Sequence, residues 1–259
     1  MSRTMVLIYG VVAYLFFLAT FLYLIGFVGN VGVPKSIDSP PYTTLGWAML
    51  INGLLIGLFV VQHSIMARPL FKQWWTQFIP KPAERSTFVI ATNLAFVLLF
   101  WQWRAVDGVV WSVESPAGRA ILYTVFAAGW LTVLWTTCLI NHFDLFGLRQ
   151  VWLHFRGKPY KPLEFVTPGP YRYVRHPMYV GMLAAFWATP TMMPAHLIFA
   201  VGLTVYIVLI GIPLEERNLA QFLGRAYADY RRRVPMLLPH IGKIGSHKSK
   251  AGKPKSTPV

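Results

Sequence analysis

Between Gly169 and Pro235 the chain gathers polar groups at both ends of an apolar hairpin. One end reads Gly169-Pro170-Tyr171-Arg172-Tyr173-Val174-Arg175-His176-Pro177-Met178-Tyr179-Val180-Gly181. The other reads Glu215-Glu216-Arg217, followed by Tyr227, Tyr230 and Arg233-Val234-Pro235. His176-Pro177 is a helix-start signal, because proline's missing N–H would be unsatisfied at the first helical position anyway. The free N–H groups and partial positive charge of that helix end suit a carboxylate. Gly181, one turn deeper, leaves room for a flat ring against the backbone. Glu215-Glu216 reads as the end of the last apolar span, where the helix dipole favours cations. Something positive or hydroxylated must compensate the pair: a sulfonium amine, a ribose diol, or one of Arg172, Arg175 and Arg217. The set describes an enzyme that holds a polar cofactor at a membrane surface and takes its substrate from the lipid side.

A second polar group is Asn141-His142-Phe143-Asp144-Leu145-Phe146-Gly147-Leu148-Arg149-Gln150, where the fourth apolar run ends. A histidine and an acid two residues apart can act as an oriented base; interfacial hydrogen bonding is the plainer alternative. Arg149 and Gln150 either bind the cofactor or steady Asp144. Gln62-His63-Ser64 falls near one end of the second run, where polar groups are costly unless they face a cavity or each other. The chain lacks Gly-x-Gly-x-x-Gly after a strand, a P-loop, a zincin helix and a Gly-x-Ser-x-Gly elbow. Its histidine and carboxylate spacings build no metal site.

The elements that must position these groups are membrane spans. Of the 259 residues, 55% are hydrophobic and 13% charged, and mean hydropathy is +0.49, the balance of a polytopic membrane protein. The net charge of +15 would suggest nucleic acid in a soluble protein. Here the basic residues lie in loops and tails, so the bilayer surface is the partner they fit and nucleic acid is not. The single cysteine, Cys138, excludes an internal disulfide and reads as a small packing residue. Six apolar segments run roughly over Met5–Val28, Thr43–Met66, Thr87–Trp103, Arg119–Ile140, Met178–Met193 and Ala195–Leu214. Most approach the roughly 20 residues a crossing needs; the last two form a possible tight hairpin through Pro190 and Pro194. With the N-terminus inside and six crossings, 21 of the 24 Lys and Arg residues fall inside and three outside. Both termini are therefore expected to be cytoplasmic. The expected architecture is an all-α, polytopic transmembrane helix bundle of about six spans. A single domain covers residues 1–239, with 169–235 as a cofactor-binding module, and 240–259 form a basic disordered tail. The sequence sets no oligomeric state.

The Gly169–Pro235 segment resembles the C-terminal module of integral-membrane methyltransferases, among them the isoprenylcysteine carboxyl and phospholipid methyltransferases. Their Arg-His-Pro-x-Tyr-x-Gly, apolar hairpin, Glu-Glu and Tyr-x-x-Tyr-x-x-Arg-Val-Pro pattern is met by Arg175, His176, Pro177, Tyr179, Gly181, Glu215, Glu216, Tyr227, Tyr230, Arg233, Val234 and Pro235. The rest of the chain looks like the nurim-type membrane proteins through Gln62 to Arg68 and Asn141 to Gln150. Within that group it is most similar to bacterial methanethiol S-methyltransferases. The resemblance implies S-adenosylmethionine as cofactor, bound without a Rossmann fold, and a small volatile thiol, methanethiol, converted to dimethyl sulfide. It also implies a multi-pass protein of the bacterial inner membrane with its active site facing the cytoplasm. A lipid or isoprenylcysteine substrate and a non-catalytic nurim-like role are the alternatives.

A thiol is largely protonated at neutral pH, so methyl transfer to it needs a base or a positive field. The expected base is His142 oriented by Asp144, with Arg149 or Arg217 as the electrostatic alternative. Tyr171 and Tyr179 are expected to face the sulfonium. Arg175, His176, Pro177, Gly181, Glu215 and Glu216 are expected to hold the rest of the cofactor. His63, Asn141 and Phe146 are expected to line the substrate pocket.

Overall fold

In a computed structural model, residues 2–239 are described; the tail expected from 240 to 259 lies outside them. The long apolar runs become long helices: α1 (Arg3–Gly29), α2 (Leu45–Met66), α4 (Glu84–Gln102) and α5 (Pro116–Ile140), with a short α3 (Pro69–Trp75) between the second and third. Their ends obey local chemistry. The Ser2 hydroxyl accepts the Met5 N–H at 3.2 Å, and the Ser115 hydroxyl accepts that of Gly118 at 3.2 Å with Pro116 in the first helical position. The fifth apolar run folds as α8 (Pro177–Trp187) and the sixth as α9 (Pro194–Tyr206), a π turn (Ile207–Gly211) and α10 (Ile212–Leu223). The π turn has a local cause. Pro213 has no N–H and its ring crowds the carbonyl four residues back, so the helix widens just before it.

Among the described residues five helices are long and apolar enough to cross a membrane, the last being the continuous Pro194–Leu223. Leu15, Leu22, Leu54, Leu131 and Leu209 stand exposed on their outward faces. Apolar surface of that extent fits lipid and not water. The fold is thus a polytopic helical membrane bundle. Two expectations change. The last helix does not stop at Leu214 but runs on to Leu223, which places Glu215 and Glu216 in a helix interior. Cys138 is exposed on the bundle surface rather than packed within it.

α8 has only eleven residues, about 16 Å of helix, yet its hairpin reaches the opposite end of α5. From the point where Gly181 meets Gly129, α5 climbs about 20 Å to Pro116. α8 climbs about 9 Å to Trp187, and residues 188–190 then turn, with Thr189 N–H donating to the Trp187 carbonyl at 3.0 Å. There β2 (Thr191–Met192) pairs antiparallel with β1 (Trp111–Ser112) of the α4–α5 connection, and Val113 N–H donates to the Pro190 carbonyl at 2.9 Å. Helix, turn and strand together bring the chain to the loop that leads into Pro116 of α5. The α5–α8 contact is close because both helices present glycine: a Cβ on Gly181 would lie 2.6 Å from the Gly129 carbonyl oxygen, and one on Gly129 would lie 2.7 Å from the Gly181 carbonyl oxygen.

α4 packs on both α1 and α2, and α2 packs on α9. After α5 the chain forms one turn of helix, α6 (His142–Leu145), then α7 (Leu148–Phe155), which packs along α1. α11 (Arg225–Arg233) follows α10 and leads to the last described residues. These return to the head of α8: Arg175 and His176 N–H donate to the Pro235 and Met236 carbonyls at 2.8 and 3.2 Å.

Candidate active site

α1, α2, α4, α5, α8 and the α9–α10 helix line a half-open cavity of about 840 Å³, in the size range of small-molecule sites. Its walls are mostly apolar and aromatic. Arg68, Lys72 and Arg85 line it, and Glu215 is the one carboxylate among the described lining residues. A second basin of about 670 Å³, lined by Lys81, Glu84, Asp144 and Lys158 among others, shares Lys72, Arg85 and Leu145 with the first. The two hollows therefore meet at a basic neck. Arg85 is fixed there: its Nε donates to the Leu145 carbonyl at 2.7 Å and its guanidinium lies 5.1 Å over the Phe88 ring.

The paired glutamates do different things. Glu216 Oε1 accepts from Arg175 Nε and Nη2, both at 2.7 Å, and lies 3.1 Å from His176 Nε2. Arg175 Nη1 also donates to the Val234 carbonyl at 2.6 Å. Glu216 is thereby committed to holding α10, the head of α8 and the C-terminal segment together. Glu215, one residue earlier, turns to the large cavity and keeps 41% of its side chain exposed. Its nearest basic group is the buried His176, at 3.7 Å. Tyr179 and Tyr206 line the same stretch of wall. Tyr171 stands outside the cavity lining. Its carbonyl accepts the Tyr230 hydroxyl at 2.6 Å, and burial together with Glu215 holds its phenol well above the usual range. Burial pushes Tyr230 up to about 12, so it remains a donor.

The expected His142–Asp144 couple does not form. Positions two apart on a helical turn point about 200° away from each other. Asp144 instead accepts from Arg149 at 2.8 Å and from the Tyr160 hydroxyl at 3.3 Å. Burial and the neighbouring Asp144 raise the Tyr160 phenol. Gln150 donates to the Asp144 carbonyl at 3.0 Å, and Arg149 also reaches the Lys161 carbonyl at 3.1 Å. His142 lines the cavity, but both ring nitrogens are engaged: Nδ1 with Thr137 Oγ1 at 2.8 Å, Nε2 with Tyr14 Oη at 2.9 Å. Because the Thr137 hydroxyl gives its proton to the Leu134 carbonyl at 2.8 Å, Nδ1 carries the hydrogen and Nε2 accepts from Tyr14. Burial lowers the His142 pKa, which keeps the ring neutral.

Other expected residues divide in the same way. Phe146 lines the cavity, stacked 3.7 Å from Phe17. His63 lines it too, with Nδ1 3.4 Å from Thr92 Oγ1 and Nε2 unpaired among the described residues. Asn141 is a cap: its side-chain oxygen accepts the Asp144 N–H at 3.0 Å from a backbone at φ 92°. Pro177 takes the first position of α8. Gly181 faces α5, not the cavity, so helix packing uses the space expected for a ring. Arg217 is exposed on α10 and outside the cavity wall; Arg149 is bound to Asp144. Sequence reading missed Arg68, Arg85, Asn93 and Tyr206 as lining groups. A lone Asn93 inside an apolar run was the one such signal, since a polar amide at membrane depth needs a partner or a cavity.

Residues 117–228 match the family model described as phospholipid methyltransferase. The chain is 54% identical over 243 residues to the methanethiol S-methyltransferase of Crocosphaera subtropica, covering 94% of this chain and 95% of that one. It is 52% identical over 239 residues to the methanethiol S-methyltransferase of Mycobacterium tuberculosis, covering 92% and 98%. Nurim of Rattus norvegicus is 30% identical over 179 residues, 66% of each chain. No solved structure matches significantly. Identity of this level over nearly the whole length, together with a cavity inside a membrane bundle, makes the chain a membrane methyltransferase belonging to the methanethiol S-methyltransferase family.

Proposed function

We infer that the protein methylates methanethiol, giving dimethyl sulfide, with S-adenosylmethionine as the methyl donor. The observation that carries this reading is a mostly apolar cavity inside a membrane bundle, with Glu215 the one lining carboxylate among the described residues. Such a chamber suits a small apolar acceptor together with a donor that brings a positive charge. The donor supplies an electrophilic methyl group on a sulfonium.

The residues present fit that donor. Glu215 offers a carboxylate to its cationic part. Tyr179 and Tyr206 offer ring faces, each worth about 0.5–2 kcal/mol to a desolvated cation. Arg68 in the cavity wall, with Lys72 and Arg85 at the neck, offers charge to a carboxylate. The Ser64 hydroxyl lines the cavity near Tyr206 and meets the geometric hydrogen-bond criteria with none of the described residues, so it is available to a polar edge. In this reading residues 169–235 remain the donor-holding module of a single domain spanning 1–239, but α2 and α4 contribute side chains to the same wall.

His63 is the residue we assign to take the thiol proton. Its Nε2 has no hydrogen-bond partner among the described residues, whereas His142 would have to release Tyr14 first. Proton transfer to a neutral His63 would leave the net charge of the cavity unchanged, since the charge lost from the sulfonium would reappear on the imidazolium, beside the lining carboxylate Glu215. The aromatic walls keep water away from both. The distribution of basic residues supports placing the neck of the cavity on the cytoplasmic side of a bacterial inner membrane.

The test is a product assay on purified protein in detergent, with methanethiol and S-adenosylmethionine, read by gas chromatography. Dimethyl sulfide formed in proportion to enzyme is the expected result. Methylated lipid with no dimethyl sulfide would assign the protein to a lipid substrate instead.

A further inference from the structure

Three buried polar side chains line the far end of the cavity with no hydrogen-bond partner among the described residues: Thr20 on α1, Asn93 on α4 and Trp130 on α5. They are 5%, 3% and 4% exposed. The orphaned atoms are Thr20 Oγ1, Asn93 Nδ2 and Trp130 Nε1. An unpaired buried donor in a membrane interior is costly, and native proteins keep few of them. Thr20 is the more telling because other helical threonines behave otherwise. Thr124, Thr132, Thr136 and Thr204 each donate to the carbonyl one turn back, at 2.6–2.8 Å.

The three lie at one level. Tyr14 meets His142, which meets Thr137, and a Cβ on Gly147 of the adjoining turn would touch Ser86 Oγ at 2.8 Å. Counting from that layer, Thr20 is six residues beyond Tyr14, Asn93 seven beyond Ser86 and Trp130 seven before Thr137. Each is thus about 9–11 Å deeper in the bundle. Phe21 and Phe186 set their rings 5.5 and 6.0 Å from the Trp130 ring, edge-on. The charged lining groups sit toward the neck: Arg85 lies eight residues, about 12 Å, short of Asn93 on the same helix.

We propose that Thr20, Asn93 and Trp130 form the subsite that holds the sulfur of the acceptor thiol. The inference rests on the thiol-methylating reading above. Three neutral donors amid aromatic rings suit a small, polarisable, electron-rich atom carrying an apolar methyl. They also favour the thiolate over the thiol, because a hydrogen bond to a charged acceptor is stronger than one to a neutral acceptor. Neutral donors do this without adding a cation that would repel the sulfonium. The donor molecule occupies the end near Glu215, and the acceptor the end near Asn93.

The test uses Thr20→Val, Asn93→Leu and Trp130→Phe, each close in shape to the residue it replaces, in purified full-length protein. Three quantities are read: KM for methanethiol, Kd for S-adenosylmethionine by calorimetry, and Tm without ligand. Each variant is expected to raise the thiol KM about ten-fold, leave the donor Kd unchanged and leave Tm unchanged or higher. The last follows because an apolar group replaces an unsatisfied buried one. Thr20→Ser, which keeps the hydroxyl, is expected to restore the thiol KM. Unchanged thiol KM with lowered Tm would make the trio structural. A weakened donor Kd with unchanged thiol KM would give the subsite to the donor. Either result overturns the proposal while a wild-type enzyme forming dimethyl sulfide keeps the parent reading; an inactive wild type overturns both.

Discussion

The Arg175 guanidinium grips Glu216 through two nitrogens, Nε and Nη2, each 2.7 Å from the same carboxylate oxygen. Both side chains are about one-tenth exposed, at 11% and 12%. Adjacent glutamates on one helix therefore carry separate duties: Glu216 locks the end of the bundle, and Glu215 is presented to the cavity.

Glu216→Leu removes the carboxylate acceptor, leaves Arg175 with the Arg231 and Val234 carbonyls alone and is expected to destabilise the protein by about 3 kcal/mol, the scale of breaking a buried pair. Tm in detergent measures it. Glu215→Gln is expected to leave Tm where it is and to weaken S-adenosylmethionine binding about ten-fold or more, read by calorimetry. The reverse pattern would exchange the two roles.

His63→Gln is expected to lower kcat for methanethiol by about a hundred-fold or more, the range of general-base loss, with donor affinity retained. His142→Gln is expected to lower stability first, since Thr137 and Tyr14 both lose their partner, with a smaller effect on turnover per donor-loaded molecule. Comparing kcat with bound donor for the two variants decides which ring accepts the proton. Loss of turnover in His142→Gln alone would return the base to the end of α5.

Burial holds the His142 pKa below its ordinary value. The unfolded chain then binds a proton at mildly acidic pH that the folded protein refuses, so stability falls as pH drops below about 6.5 and is complete above it. A plot of Tm against pH between neutrality and mild acid is expected to slope less steeply in His142→Gln than in the wild type. Identical slopes would mean that His142 titrates alike in both states.

The architecture was legible because span length, apolar composition and the sidedness of Lys and Arg are read residue by residue. His176-Pro177 announced the head of α8 for the same reason, proline chemistry being local. The roles of Glu215 and Glu216 were not legible. They depend on a helix that continues nine residues past Leu214 and on a π turn that resets which face each residue takes. His142 and Asp144 look coupled in sequence, but a single helical turn separates them by geometry that spacing alone does not disclose. Thr20 and Trp130 looked like ordinary members of apolar helices. Only their missing partners at one depth mark them.

Gly181→Ala separates two uses of the same glycine. In an isolated helix alanine is favoured over glycine by about 1 kcal/mol. Here the new Cβ would lie 2.6 Å from the Gly129 carbonyl oxygen and 3.1 Å from Thr132 Cβ. Neither is the mobile end of a side chain, so α8 must move away from α5. Overpacking of this kind costs about 1–3 kcal/mol and outweighs the propensity gain. Tm and the yield of folded protein are therefore expected to fall, while S-adenosylmethionine affinity per folded molecule holds, because the cavity wall is formed by Met178, Tyr179 and Met182 on another face of α8. If a cofactor ring lay against Gly181 instead, the methyl would block it, and affinity would drop with Tm unchanged.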